Sequence, residues 1–173
     1  MIGRIRRWFL MQKIKEVVVP VKKSVRQTIN PALKIAVLFD GTSEEDRKTI
    51  HKFKKQLSTG DRQVVSLAFV NNKLPLDNVD YQAYNLRDVN WFGMPASEKI
   101  NAFIQSEFDV LLALIRNMEP HFEYIFATSH ARLIIGPSVK GAEQYFHHIT
   151  DTRTDAGLEQ IIRDIMNCVG KIT

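Results

Sequence analysis

The segment 33–70 constrains the fold more than any other part of the chain. "LKIAVLF" (33–39) is an unbroken apolar run of β-formers, the pattern of a strand buried on both faces. "DGTSEEDRKTIHKFKKQL" follows, in which Ser43 can cap a helix with Asp46 three residues on. Ile50, Phe53 and Leu57 make its apolar stripe, and Gly60 lies beyond its end. "RQVVSLAFV" (62–70) is again strand-like. Short loops joining two buried strands through a helix favour a parallel, right-handed crossover.

The rest of the chain extends this unit. "YQAYNL" suits a short strand after a loop, and "NWFGMP" suits a turn. Ser97 opens a helix with Ile100, Phe103 and Ile104 on one face. "FDVLLALI" (108–115) is the most strand-like run, followed by a helix over 119–129 and the strand "ARLIIG" (131–136). "QYFHHIT" (144–150) is expected as the last strand. A final helix should run from Thr154 to Val169, with Leu158, Ile161, Ile162, Ile165 and Met166 on one stripe. The expectation is a three-layer α/β domain with a mostly parallel open sheet of five to six strands, Rossmann-like or flavodoxin-like, spanning 31–173. Residues 1–30 form a separate basic arm or helix.

Several of these stretches carry a likeness. The basic start, the strand near residue 35, "DVNWFG" (88–93), "FDVLLALI", "SHARLIIG" (129–136) and the closing "HHITDT" with its helix together resemble an uncharacterised family of small Bacteroidota proteins, a domain of unknown function. The resemblance supports the α/β fold and implies no activity or site residue.

Charge is unevenly distributed. Residues 1–34 hold nine Lys/Arg and one acid, whereas the remainder holds fifteen Lys/Arg and eighteen acids, so the net +5 conceals a basic opening on an acidic body. With 45% hydrophobic residues the chain can form a core. No apolar run reaches the roughly 18 residues of a membrane span, and the charges after Met11 cut short any secretory signal. The single cysteine, Cys168, falls on a helical stripe and suits a buried thiol in the cytoplasm.

Motifs for catalysis are weak. "DGTSEED" has one glycine and three acids where a dinucleotide fingerprint needs three glycines, and there is no Walker-type loop. His147 and His148 would point to opposite faces of a strand, so no metal site is expected. Ser129-His130 lacks a nucleophile elbow. No cofactor is expected either. The strand ends supply a possible pocket of Asp40, Arg116, Asn117 and Ser138, with Arg116 and nearby helix amides as its anion site. Gly, Asn, Asp and Pro at these ends are equally what turns require. Trp91-Phe92 fits a plug at the end of the core and, as the other reading, a contact surface.

The opening "GRIRRWFLMQKIKEVVVPVKKSVRQ" has no clean apolar face: at 100° per residue Arg6 and Lys13 fall within roughly 40° of Ile2 and Phe9. Its candidate partner-binding residues are Arg4, Arg6, Arg7, Trp8, Phe9, Lys13, Lys15, Lys22, Lys23 and Arg26. Basic stems beside Trp8 and Phe9 suit a phosphate-rich surface. The expected function is a non-enzymatic adaptor held by this arm to RNA or a ribosome-like particle, an anionic membrane surface, or an acidic protein. Such a protein is cytoplasmic or peripheral to the inner membrane. The bland alternative for the arm is a helix packing Ile5, Trp8 and Phe9 on its own domain. For the whole chain, the alternative is an enzyme such as a transferase using the strand-end crevice.

Overall fold

The computed structural model describes residues 2–17, 33–76, 81–153 and 155–172. Helix α1 (Ile2–Val17) precedes strand β1 (Lys34–Asp40), helix α2 (Glu44–Leu57), and strands β2 (Gln63–Val70) and β3 (Gln82–Asn85). Helix α3 (Glu98–Gln105), strand β4 (Val110–Leu114), helix α4 (Pro120–Thr128), strands β5 (Leu133–Pro137) and β6 (His148–Thr150), and helix α5 (Leu158–Ile172) complete it. The sheet has six strands in the order β3-β2-β1-β4-β5-β6, and every pairing is parallel. This is the Rossmann order, not the flavodoxin one.

Alternation along the central strands sends side chains to two cores. Ala36, Leu38, Leu67, Phe69, Leu111 and Ala113 face α3 and α4. Val37, Phe39, Ala68, Val70, Leu112 and Leu114 face α2 and α5. Because both faces are covered, the strands carry unbroken apolar runs. Gly136 marks the tightest approach, since a Cβ there would meet Phe146 and lie 2.8 Å from Ala113.

Three local expectations need correction. The strand expected over 144–150 is confined to His148–Thr150, because a 3-10 turn at Ala142–Gln144 takes up the approach. Helix α5 starts at Leu158, and its expected start, Thr154, lies outside the described residues. Ser97 precedes α3 without capping it: its hydroxyl is buried and makes no hydrogen bond among the described residues. Ser43, by contrast, caps α2 by accepting the Asp46 N–H at 3.4 Å.

Helix α1 docks on α4. Leu10 and Ile14, one turn apart, are buried, while Arg4 through Phe9 are all exposed. A two-residue stripe at i and i+4 is enough to seat a helix, but too narrow to stand out among the flanking charges.

Candidate functional site at the carboxyl ends of the strands

The strand order reverses between β1 and β4, and the chain's polar strand ends meet there. Much of this crevice is tied to itself. Asp40 accepts the Thr42 N–H at 2.9 Å, and the Thr42 hydroxyl accepts the Asn71 N–H at 2.9 Å. Arg47 donates to the Gly41 and Thr42 carbonyls at 2.6 and 3.0 Å. The first loop is thus closed over by its own helix, consistent with the absence of a glycine-rich phosphate cradle.

Arg116 leaves β4 toward α2 and makes a two-pronged ion pair with Asp46, at 2.7 and 2.9 Å. That bond, with the nearby charge of Asp40, holds the guanidinium more firmly charged, against the effect of partial burial. Asp40 and Arg116 therefore share one electrostatic cluster, and the partner sequence reasoning missed is Asp46. Its signal was hidden by its expected role in capping. Asn117 and Ser138 are exposed.

Beside Arg116 lies a cavity of about 370 Å³, walled by Arg7, Asn117, Met118, Glu123, Val139 and Lys140. Arg7 reaches it from α1 and donates to Glu123 at 3.2 Å. Glu123 is buried on α4, and burial pushes its carboxyl upward; Arg7 opposes the shift and Glu119 adds to it. Tyr145 lies close enough to feel both charges. Its phenol is pushed up to about 12, by burial first and then by Glu123, and its hydroxyl is buried without a hydrogen-bond partner among the described residues.

A second feature lies on the outside of α1. Asn90 Oδ1 accepts the N–H groups of Phe92 and Met94 at 3.0 and 3.1 Å, fixing a tight turn. Gly93 has φ +87°, and a Cβ there would lie 2.7 Å from Pro120, so the turn is pressed on the start of α4. This places Phe92 against Phe9, with ring centroids 5.2 Å apart. Trp8 meets Phe9 edge-on at 4.9 Å, and Trp91 meets Phe92 edge-on at 5.2 Å. The Arg6 guanidinium lies 5.3 Å over the Trp91 ring. Trp91 is 57% exposed and so does not plug the core; it belongs to a surface cluster. Trp8 is 57% exposed, Ile5 49% and Phe9 43%. The residues offered for self-packing are thus the outward ones, because Leu10 and Ile14 take the buried face.

The remaining candidates are placed as follows. Lys13 pairs with Glu16 at 2.6 Å, Lys15 is exposed, and Lys22, Lys23 and Arg26 lie outside the described residues. His147 Nδ1 accepts the Ile134 N–H at 3.0 Å, while His148 is exposed. Among the described residues no group of three or more His, Cys, Asp or Glu could hold a metal, and no helix is long and apolar enough to cross a membrane. Cys168 is half-buried on α5.

A family model described as a family of unknown function, DUF6913, matches residues 4–167. The chain belongs to that family. The match takes in α1 and both features of the site, so the family's shared region includes the docked helix as well as the sheet. Neither the curated proteins nor the solved structures contain a match to the chain.

Proposed function

We propose that the protein is a non-enzymatic α/β binding protein that attaches to an anionic membrane surface through α1 and the Trp91-Phe92 turn. The observation that carries this reading is the cluster of exposed Trp8, Phe9 and Trp91 around a half-buried Phe92, overlaid by Arg6 and bordered by Ile5 and Arg4. Interfacial segments combine such aromatics with cations, each Lys or Arg near an anionic leaflet contributing about 1 kcal/mol.

Geometry favours lipid over RNA. Stacking on bases needs open ring faces. Here the rings pack edge-on or tilted, Arg6 covers Trp91, and Ile5 offers only apolar area. An acidic protein partner matches the charge and, since protein interfaces favour Trp, Phe and Arg, the aromatics too; what favours lipid is that the rings and cations lie together along one exposed helix face, the pattern of interfacial segments. The transferase reading draws only on the cavity beside Arg116, and a cavity lined by donors supports binding without supplying a reaction. Attachment of this kind puts the protein on the cytoplasmic side, peripheral to a membrane.

Co-sedimentation with phosphatidylglycerol-containing vesicles, phosphatidylcholine vesicles and poly(U) tests the proposal. Only the anionic vesicles should retain the protein, and retention should fall as salt rises. Neutralising Arg4 and Arg6 together should flatten that dependence. Trp8→Ala should weaken binding by about 1–3 kcal/mol with the salt dependence kept. Single-tryptophan variants made by Trp8→Phe or Trp91→Phe should each blue-shift on the anionic vesicles. Preference for poly(U) would move the partner to RNA. Retention by neither would leave α1 a docked helix with a charged exterior.

A further inference from the structure

The cavity beside Arg116 is walled by two guanidiniums, each paired with a carboxylate: Arg116 with Asp46 behind it, and Arg7 with Glu123 on the wall. A guanidinium has five N–H donors. Arg116 spends two on Asp46 and Arg7 spends one on Glu123, so both keep donors in hand, Arg116 in the fixed plane of a two-pronged pair. Lys140 adds a third cation and makes no ion pair among the described residues. Asn117 contributes an amide, and Met118 and Val139 an apolar surface. Glu123 is the one carboxylate on the wall, and Arg7 already occupies it. A carboxylate this deeply buried is costly unless paired, so its placement under α1 is explained by what it holds: the Arg7 head, carried to the cavity from another element. The unpartnered Tyr145 hydroxyl sits within the field of the same pair.

We propose that this cavity binds a small organic oxyanion, a carboxylate or a phosphate monoester. Its charged end is met by Arg116, Lys140 and Arg7, and its body lies on Met118 and Val139. About 370 Å³ is at the lower end of the range for small-molecule pockets, which sets the size of the ligand. Planar guanidiniums suit the two-oxygen face of either group, and the two-pronged pair with Asp46 lowers the cost of ordering Arg116 on binding.

The test is a titration of full-length, isotope-labelled protein without lipid, followed by amide chemical shifts. The probes are inorganic phosphate, glycerol 3-phosphate and 3-methylbutanoate, with glycerol as the neutral control. One of the two organic anions should produce saturable shifts confined to the residues that wall the cavity and their neighbours, 6–8, 115–124 and 138–141, with Kd on the order of 1 mM or below. Which of them does so separates the phosphate from the carboxylate. Lys140→Ala, at an exposed position, should weaken binding about tenfold. Arg116→Lys keeps the charge but loses the fork, and should weaken it as well. Lys55→Ala, on the exposed side of α2, should change nothing. Shifts that fail to saturate, that glycerol reproduces, or that survive Lys140→Ala and Arg116→Lys would overturn the proposal, leaving Arg7–Glu123 as a docking contact. Saturation by inorganic phosphate alone would overturn the organic ligand.

Discussion

At the scale of single residues, His121 is a strongly perturbed titratable side chain with a defined partner. It lies on the first turn of α4, its ring 4.0 Å from that of Phe69 and 4.3 Å from that of Phe122, with Nδ1 2.8 Å from the Tyr84 hydroxyl. Burial lowers its pKa from 6.5 to about 4. A basic group whose folded pKa is depressed contributes stability that is present above pH 6.5 and lost as the pH falls toward 4. The shift corresponds to about 3 kcal/mol. Glu123 works in the opposite sense: its raised pKa favours the folded state as its carboxyl becomes protonated. The informative quantity is therefore the difference between variants. Urea unfolding of the wild type and His121→Gln at pH 7 and pH 4.5 should give a smaller acid loss in the variant, where the amide can still hydrogen-bond the Tyr84 hydroxyl. Equal acid losses would mean that His121 is already solvated when it charges. Nothing in "EPHFEY" announces this histidine, because its burial depends on Phe69 and Tyr84, which only the folded sheet brings to it.

At the scale of elements, periodicity conveyed most of what the chain becomes. The runs ending at Phe39, Val70 and Ile115 could be assigned because strands buried on both faces contain few polar residues. Helix α2 was legible through Ser43 and the Ile50, Phe53 and Leu57 stripe. The bounds of β6 and the uncapped start of α3 were not, since a three-residue strand is below any periodicity and Ser97 looks like a cap whether or not it acts as one. Helix α1 was hardest to interpret because, among the described residues, its buried side chains are Leu10 and Ile14, with an ion pair to a residue more than a hundred positions away. Leu10→Ala should release α1 without unfolding the sheet. Hydrogen exchange would then quicken over α1 while β1 and β4 stay protected. Deleting residues 1–30 should correspondingly leave a cooperative urea transition at lower stability. A molten product would place α1 in the core and move the domain boundary.

At the scale of the whole molecule, the candidate site was partly legible. Asp40, Arg116 and Asn117 could be placed at the carboxyl ends of strands from the α/β alternation alone. The cations at Arg7 and Lys140 and the carboxylates paired with the guanidiniums could not, because they converge from α1, α2, α4 and the β5–β6 connection. The charge imbalance, by contrast, is visible in the sequence and yields the broadest test. Residues 31–173 hold sixteen Lys/Arg and eighteen acids, a net of −2 against +5 for the full chain. If α1 and the segment after it supply the attraction to an anionic surface, the fragment 31–173 should reverse the sign of the interaction as well as weaken it. Its residual retention on anionic vesicles should fall below that on neutral ones and rise with salt, because screening relieves repulsion as readily as attraction. Trp91 remains in the fragment and supplies the fluorescence needed to follow it. Retention of the fragment on anionic vesicles at the level of the full chain would place the attachment on the α/β body, and the basic opening would then contribute only solubility.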